Sequence, residues 1–425
     1  MSWTSAAIRD ASRAGDYGRV VHLARRGAGL SQKELGDACG VSQSAVSRLE
    51  QRGANGVYDT KTLARAAAHL QLPPHLVGLA DHAAALAANA DTDGSVERRN
   101  FLGGAVAVAA APAVAAFKAA TTEPAAADGG PAATLRVVTG GYRRLDGTTP
   151  ARQLVKPVLE HLELTQSLAK GVQDHAQRNR LAAVGSEVAS LAGWLSWDMG
   201  DYGSARTWYG AAVKSARRSG QPLLAAYQLG SLAQFEAHAG NAQQGLSLAQ
   251  SARKALGDRP PVIADAWLAS VEALCHAAAG DAEASDDSLK TAIRFADRVT
   301  NDSTPWPWVF TFNESKVAAT RVACGARLGR SDWISSAQDS ATAVLSSGHE
   351  KQRALLILDV ASGHLASGRI DGAFALATGA LEIGLRFRSG RIVERARALR
   401  RSYATPRSLP RVVREFDDRL YEVFL

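Results

Sequence analysis

The chain of 425 residues is predicted to be almost all-α, with a compact helical unit at the N-terminus and a helical repeat array over most of the remainder. Three observations predict this. Apolar residues make up 46% of the sequence but aromatics only 6%, and alanine dominates, which suits close-packed helices better than sheets rich in Val, Ile, Thr and aromatics. Within the first eighty residues, apolar positions and capping residues fall at the offsets of short helices joined by tight turns. From about residue 150 onward, glycines recur at a regular long interval, the mark of stacked helical hairpins. A chain of this length also exceeds one ordinary core.

Taken in order, the first predicted helix runs from about Tyr17 to Arg26 and turns Val20, Leu23 and Ala24 inward. In "GLSQKELGDACGVSQSAVSRLE", residues 29–50, the apolar residues Leu30, Leu35, Cys39, Val41, Val46 and Leu49 suit two short helices packed across a turn. Gly36 is small where they must touch, and Gly40 stands where the turn needs a positive φ. Ser31 and Ser42 precede these helices as N-caps, and Glu34 three residues after Ser31 completes a capping box. A further helix starts near Thr60, and Pro73 or Pro74 opens a last one.

The stretches "YGRVVHLARRGAGLSQKELGDACGVSQSAVSRLEQRG" and "TKTLARAAAHLQLPPHLVGL" resemble the helix-turn-helix domain of XRE-type, phage-repressor-like bacterial transcription regulators. The resemblance implies a five-helix, lambda-repressor-like fold over residues 1–80 and binding to double-stranded DNA. In such domains the second helix of the motif lies in the major groove with its N-terminal residues toward base edges. Carried onto this chain, that helix spans Ser42 to Gln51 and offers Gln43, Ser44, Ser47 and Arg48 to DNA. The Gln43 amide matches adenine bidentately, and the Arg48 fork matches guanine O6 and N7. Gln32 resembles the phosphate-contacting glutamine of the family, with Lys33, Arg52 and Lys61 as backbone neutralisers. Solvated helix surface is the competing reading for Ser44 and Ser47 and, less so, for Gln43 and Arg48, and Arg25, Arg26 and Lys61 read as solvated cations rather than contacts.

The formal charge of +8 is unevenly placed. Residues 1–80 hold ten Lys/Arg against six Asp/Glu, residues 386–414 hold ten Arg against one acid, and the rest is slightly acidic. The arginine-rich stretch reads as the solvated face of a capping helix plus tail. Cys39, Cys275 and Cys324 are far apart without ligand spacing, so neither a disulfide framework nor a metal site is expected and a reducing cytoplasm fits. Cys39 reads as a small core hydrophobe. No nucleophile elbow, phosphate loop or carboxylate pair points to an enzyme, and no cofactor is expected.

Residues 97–117, "VERRNFLGGAVAVAAAPAVAA", look like a twin-arginine export signal, yet they follow a predicted folded domain, and Met1 and Met199 are the only methionines. Seventeen weakly apolar residues interrupted by Pro112 make a poor membrane span. The expectation is an Ala-rich linker over residues 81–150, with no membrane association.

Residues 151–425 form the predicted array. Gly200, Gly240, Gly280, Gly329 and Gly368 mark the turns. Small residues recur seven before each (Gly193, Ala233, Ala273, Val322, Ala361), five after (Ala205, Gly245, Ser285, Ile334, Ala373) and twelve after (Ala212, Ala252, Ala292, Ala341, Ala380). Such positions let helices approach closely. The pattern resembles the tetratricopeptide repeat, from which Ser285, Val322 and Ile334 depart, and implies a TPR-like α-solenoid. Residues 183–256 look like the C-terminal half of two-domain bacterial regulators that join an XRE domain to such an array. In their peptide-sensing members the concave face binds a signalling peptide and the arrays dimerise, so the resemblance implies a homodimer and a peptide, small molecule or protein partner in the groove. Counting back from the turns places Trp194, Trp197, Tyr227, Gln234 and Trp267 on that face, with filling of the interior between hairpins as the competing reading for Trp194 and Trp197. The competing function is a protein-interaction scaffold whose DNA contact is incidental.

Overall fold

The structure is a computed structural model and describes residues 5–53, 58–79, 130–299, 307–308, 312–341, 348–404, 408–421 and 423. It is helical throughout, with no strand among the described residues. Two compact units form: one holds Met1–Asp128 with Asp201–Thr207, the other Gly129–Gly200 with Trp208–Leu425. The twin-arginine-like segment, residues 97–117, lies outside the described residues.

The first unit contains α1 (Ala6–Ala14), α2 (Tyr17–Gly27), α3 (Gln32–Cys39), α4 (Gln43–Glu50) and α5 (Thr60–His69). The expected helix at Pro74 is a single 3₁₀ turn, Pro74–Val77, because Gly78 takes the left-handed conformation and ends it. α1 has no counterpart among the predicted helices. Ser5 caps it through the Ile8 amide, and Ile8 and Ala11 deliver it to the core, too few apolar residues to stand out as a period. Val20, Val21, Leu35, Val46, Leu49, Leu63 and Leu70 form the centre of this core.

The second unit runs α6 (Pro131–Asp146), α7 (Ala151–Gly171), α8 (His175–Asp198), α9 (Tyr202–Arg218, of which Tyr202–Thr207 count with the first unit), α10 (Pro222–Ala239), α11 (Ala242–Leu256), α12 (Val262–Ala278), α13 (Ala282–Ala296), α14 (Glu314–Leu328), α15 (Ser331–Ala337), α16 (Glu350–Ala366), α17 (Ile370–Arg386), α18 (Gly390–Ser402) and α19 (Arg411–Tyr421). Residues 131–150, expected within the linker, belong here. Ala132 and Leu135 of α6 pack into the same core cluster as α7 and α8, and that burial holds the helix to the array.

All five turn glycines have positive φ, so each hairpin turns where the spacing placed it. Every one of the fifteen small-residue positions is buried, including the three departures. The departures are absorbed locally. The Ser285 hydroxyl donates to the Ala273 carbonyl at 3.0 Å, which satisfies its polarity inside the hairpin. Ile334 lies against Gly325 and Gly363, where an added Cβ would come within 3.0 and 2.8 Å of its side chain, so two glycines make room for one large residue. Among the described residues no helix is long and apolar enough to cross a membrane.

Candidate nucleic-acid interface

The helix pair α3–α4 is built from the capping signals of the sequence. The Ser31 hydroxyl accepts from the Glu34 amide at 3.2 Å, and the Glu34 carboxylate accepts from the Ser31 amide at 2.7 Å. Hydrogen bonding from the Ser31 amide, and secondarily from its hydroxyl, holds the exposed Glu34 carboxyl below its ordinary pKa. Gly40 ends α3 at φ 65°. A Cβ on Gly36 would come within 2.8 Å of the Val41 carbonyl, so only glycine lets α3 meet the turn this closely. Ser42 caps α4 by accepting from the Ala45 amide. Val46 and Leu49 then bury one side of α4, and the other side is left to solvent.

Of the residues expected to meet DNA, Lys33, Gln43, Ser44, Arg48 and Arg52 are exposed, and Gln32 and Ser47 are half-buried. Gln43 Nε2 donates to Gln32 Oε1 at 3.1 Å, and Gln32 Nε2 donates to Glu50 Oε2 at 2.9 Å. The first residue of α4 is thus tied, through a second amide, to the last. Gln43 retains its own Oε1 and a second N–H, one acceptor and one donor, which is the set that pairs with an adenine edge. Ser44 bonds the Ser42 hydroxyl at 2.9 Å, and the Ser47 hydroxyl accepts from Gln51 at 3.4 Å.

Glu50 is the anchor of this arrangement. Its carboxylate is 3% exposed and accepts from Arg25 Nε at 2.6 Å, Arg25 Nη2 at 2.9 Å and Gln32, with the His22 Nδ1 at 2.9 Å. Burial alone would push the Glu50 carboxyl up, but the hydrogen bonds from Arg25, Gln32 and His22 outweigh it and hold the group below the usual carboxylate range. Arg25 is therefore a correction: expected as a solvated cation, it is a buried partner that also donates to the Leu30 carbonyl at 2.6 Å. The pairing needs two residues 25 apart, each of which reads as surface charge by itself. No local signal in the sequence marks it.

Residues 16–79 match the family model of a helix-turn-helix domain. The N-terminal unit carries a helix-turn-helix domain. A comparison with curated proteins finds no match. Among solved structures, the chain is similar at 14% identity to a crystal structure of Bacillus thuringiensis PlcR in complex with the peptide PapR7 and DNA. That match covers 83% of this chain and 98% of the other, with a TM-score of 0.32. A likeness at that score fixes neither fold nor ligand.

The residues expected to line the groove of the array fall differently. Trp197, Tyr227 and Trp267 are buried at 3%, 6% and 7% exposure, packed against other rings of the array. Tyr227 stacks on Trp267 with ring centroids 5.2 Å apart, and Trp197 meets Phe235 edge to face at 5.7 Å. Large rings at the inner layer gain more from mutual packing than from facing water. Trp194 and Gln234 stay half-buried. The arginine-rich stretch is also corrected in part: Arg391 is buried, Arg395 pairs with Asp359, and Arg400 pairs with Asp417 at 2.6 Å.

Proposed function

We propose that the chain is a sequence-specific DNA-binding transcription regulator in which α4 enters the major groove of an operator half-site. The observation that carries this is the division of α4: Val46 and Leu49 are buried, and Gln43, Ser44 and Arg48 are exposed on the opposite side. Arg48 has the donor fork for guanine, and Gln43, oriented by Gln32, has the donor and acceptor for adenine. Lys33 and Arg52 flank that surface as phosphate neutralisers, and Gln32 keeps one N–H for a phosphate oxygen.

The repeat array is proposed to hold two copies of the chain together and to take up a peptide, small molecule or protein partner, with ligand contact assigned only to Trp194 and Gln234 of the residues read from the sequence. A homodimer presents two α4 helices to half-sites about one helical turn apart. The cytoplasm is the compartment in which such a regulator meets DNA. Selection of bound DNA from a random pool, followed by titration of the winner, tests the proposal. An enriched half-site repeated at a fixed spacing supports it, and recovery of no preferred sequence refutes it.

A further inference from the structure

Hairpins of a repeat array ordinarily touch only their neighbours in sequence. Here the two ends of the array also meet, since α8 packs against α18. The turn after α8 approaches so closely that a Cβ on Gly390 would lie 2.7 Å from the Met199 carbonyl, and one on Gly147 would lie 3.2 Å from the His349 ring. What fills this junction is charge. Lys351 Nζ, fully buried at the start of α16, donates to Asp146 Oδ1 at 2.6 Å, to Asp198 Oδ2 at 2.9 Å and to the Thr149 carbonyl at 3.3 Å. The Ser389 hydroxyl donates to Asp198 Oδ1 at 2.6 Å, and the Trp194 indole donates to Asp146 Oδ2 at 2.7 Å. The Arg391 guanidinium stacks 4.3 and 4.7 Å from the Trp194 and Trp197 ring centres, with Nε 3.7 Å from Asp198.

Among the described residues, the apolar clusters on either side stay separate. One cluster gathers residues from Ala132 to Ala212 and another residues from Ala354 to Val423, with no member shared. The elements within each half are thus joined by apolar burial, and the halves meet through a buried ionic cluster. Such clusters contribute little net stability over apolar packing, because desolvation offsets the attraction. This one is also incompletely satisfied: Arg391 Nε and Nη2 are buried with no hydrogen-bond partner among the described residues. Regions joined by few buried apolar contacts are those that open locally at low free-energy cost.

We propose that the Asp146–Lys351–Asp198 cluster is a latch that closes the array end to end, and that the array opens at this seam with the hairpins between intact. A ligand or partner that prefers one form shifts the other. The proposal concerns the array alone and stands whether or not the chain binds DNA.

The test is a spin-label distance measurement on the full chain, with labels at Thr148→Cys and Arg401→Cys on the two sides of the seam. A control pair sits at Gln244→Cys and Glu283→Cys within the middle hairpins. All four positions are exposed, and the native thiols are buried. In the otherwise unaltered chain the seam pair gives one dominant short distance. Lys351→Ala, which leaves two carboxylates facing each other, moves most of that population to longer distances, and Asp198→Asn moves a smaller share. The control pair and the far-UV helical signal stay the same in both. An unchanged seam distance in Lys351→Ala overturns the latch, and so does loss of helical signal or of the control distance, which would make the cluster part of the core.

Discussion

In the proposed reading Arg48 carries most of the base recognition, because it is exposed on α4 and holds no hydrogen bond or ion pair among the described residues. Its replacement by alanine is expected to weaken binding to the selected operator by about 1–3 kcal/mol and to relax one base position, measured by titration against operator variants. Gln32 and Gln43 act as a coupled pair, so Gln32→Ala and Gln43→Ala are expected to be less than additive in a double-mutant cycle on operator affinity. Glu50 brings a pH dependence. Its folded pKa lies below the unfolded value, so its contribution is full above the ordinary carboxylate range and is lost as pH falls through the depressed value. Hydrogen exchange of α2–α4 amides in the full chain should therefore quicken on acidification below about pH 4.3, beyond the intrinsic rate change. Unchanged protection there would show that Glu50 does not anchor the domain. The caps and Gly40 were legible in the sequence because each acts within a few residues of itself. Arg25 and Glu50 were not, because a buried pair formed across the fold leaves no periodic trace.

At the scale of elements, glycine turns and small residues carried most of the array into view. Steric demand is local to each hairpin, so its spacing survives even where the residue type varies. What the pattern missed was compensation between hairpins. Ile334 looked like a break in register, yet Gly325 of α14 and Gly363 of α16 supply the space it needs. Gly363→Ala is accordingly expected to destabilise the chain by about 1–3 kcal/mol in urea unfolding, and Ile334→Val in the same chain to restore part of the loss. Gly210→Ala, on an open face of α9 with nothing within 4 Å of an added Cβ, should leave stability unchanged or raised. A larger loss at Gly210 than at Gly363 would contradict the packing argument. The aromatic residues misled for a related reason: counting along a helix gives the inner layer, but not whether that layer faces a partner or another ring. Burial pushes the Cys275 and Cys324 thiols up to about 12, so alkylation of the native chain at neutral pH should spare both until it unfolds.

For the whole molecule, charge location says more than charge total. The chain carries +8, and the densest cationic stretch, residues 386–414, spends several arginines on partners inside the array. The proposed DNA contact therefore rests on the exposed side of α4 in the helix-turn-helix domain and not on the chain's total charge. Sedimentation at micromolar concentration is expected to give twice the chain mass, as the proposed homodimer requires. The central claim is that the polar side of α4 reads bases. Its most direct test is parallel selection from one random DNA pool with the unaltered chain and with Arg48→Ala. The claim predicts a defined half-site for the former and the same site with one position degenerate for the latter. Identical, fully specified sites from both proteins would contradict it.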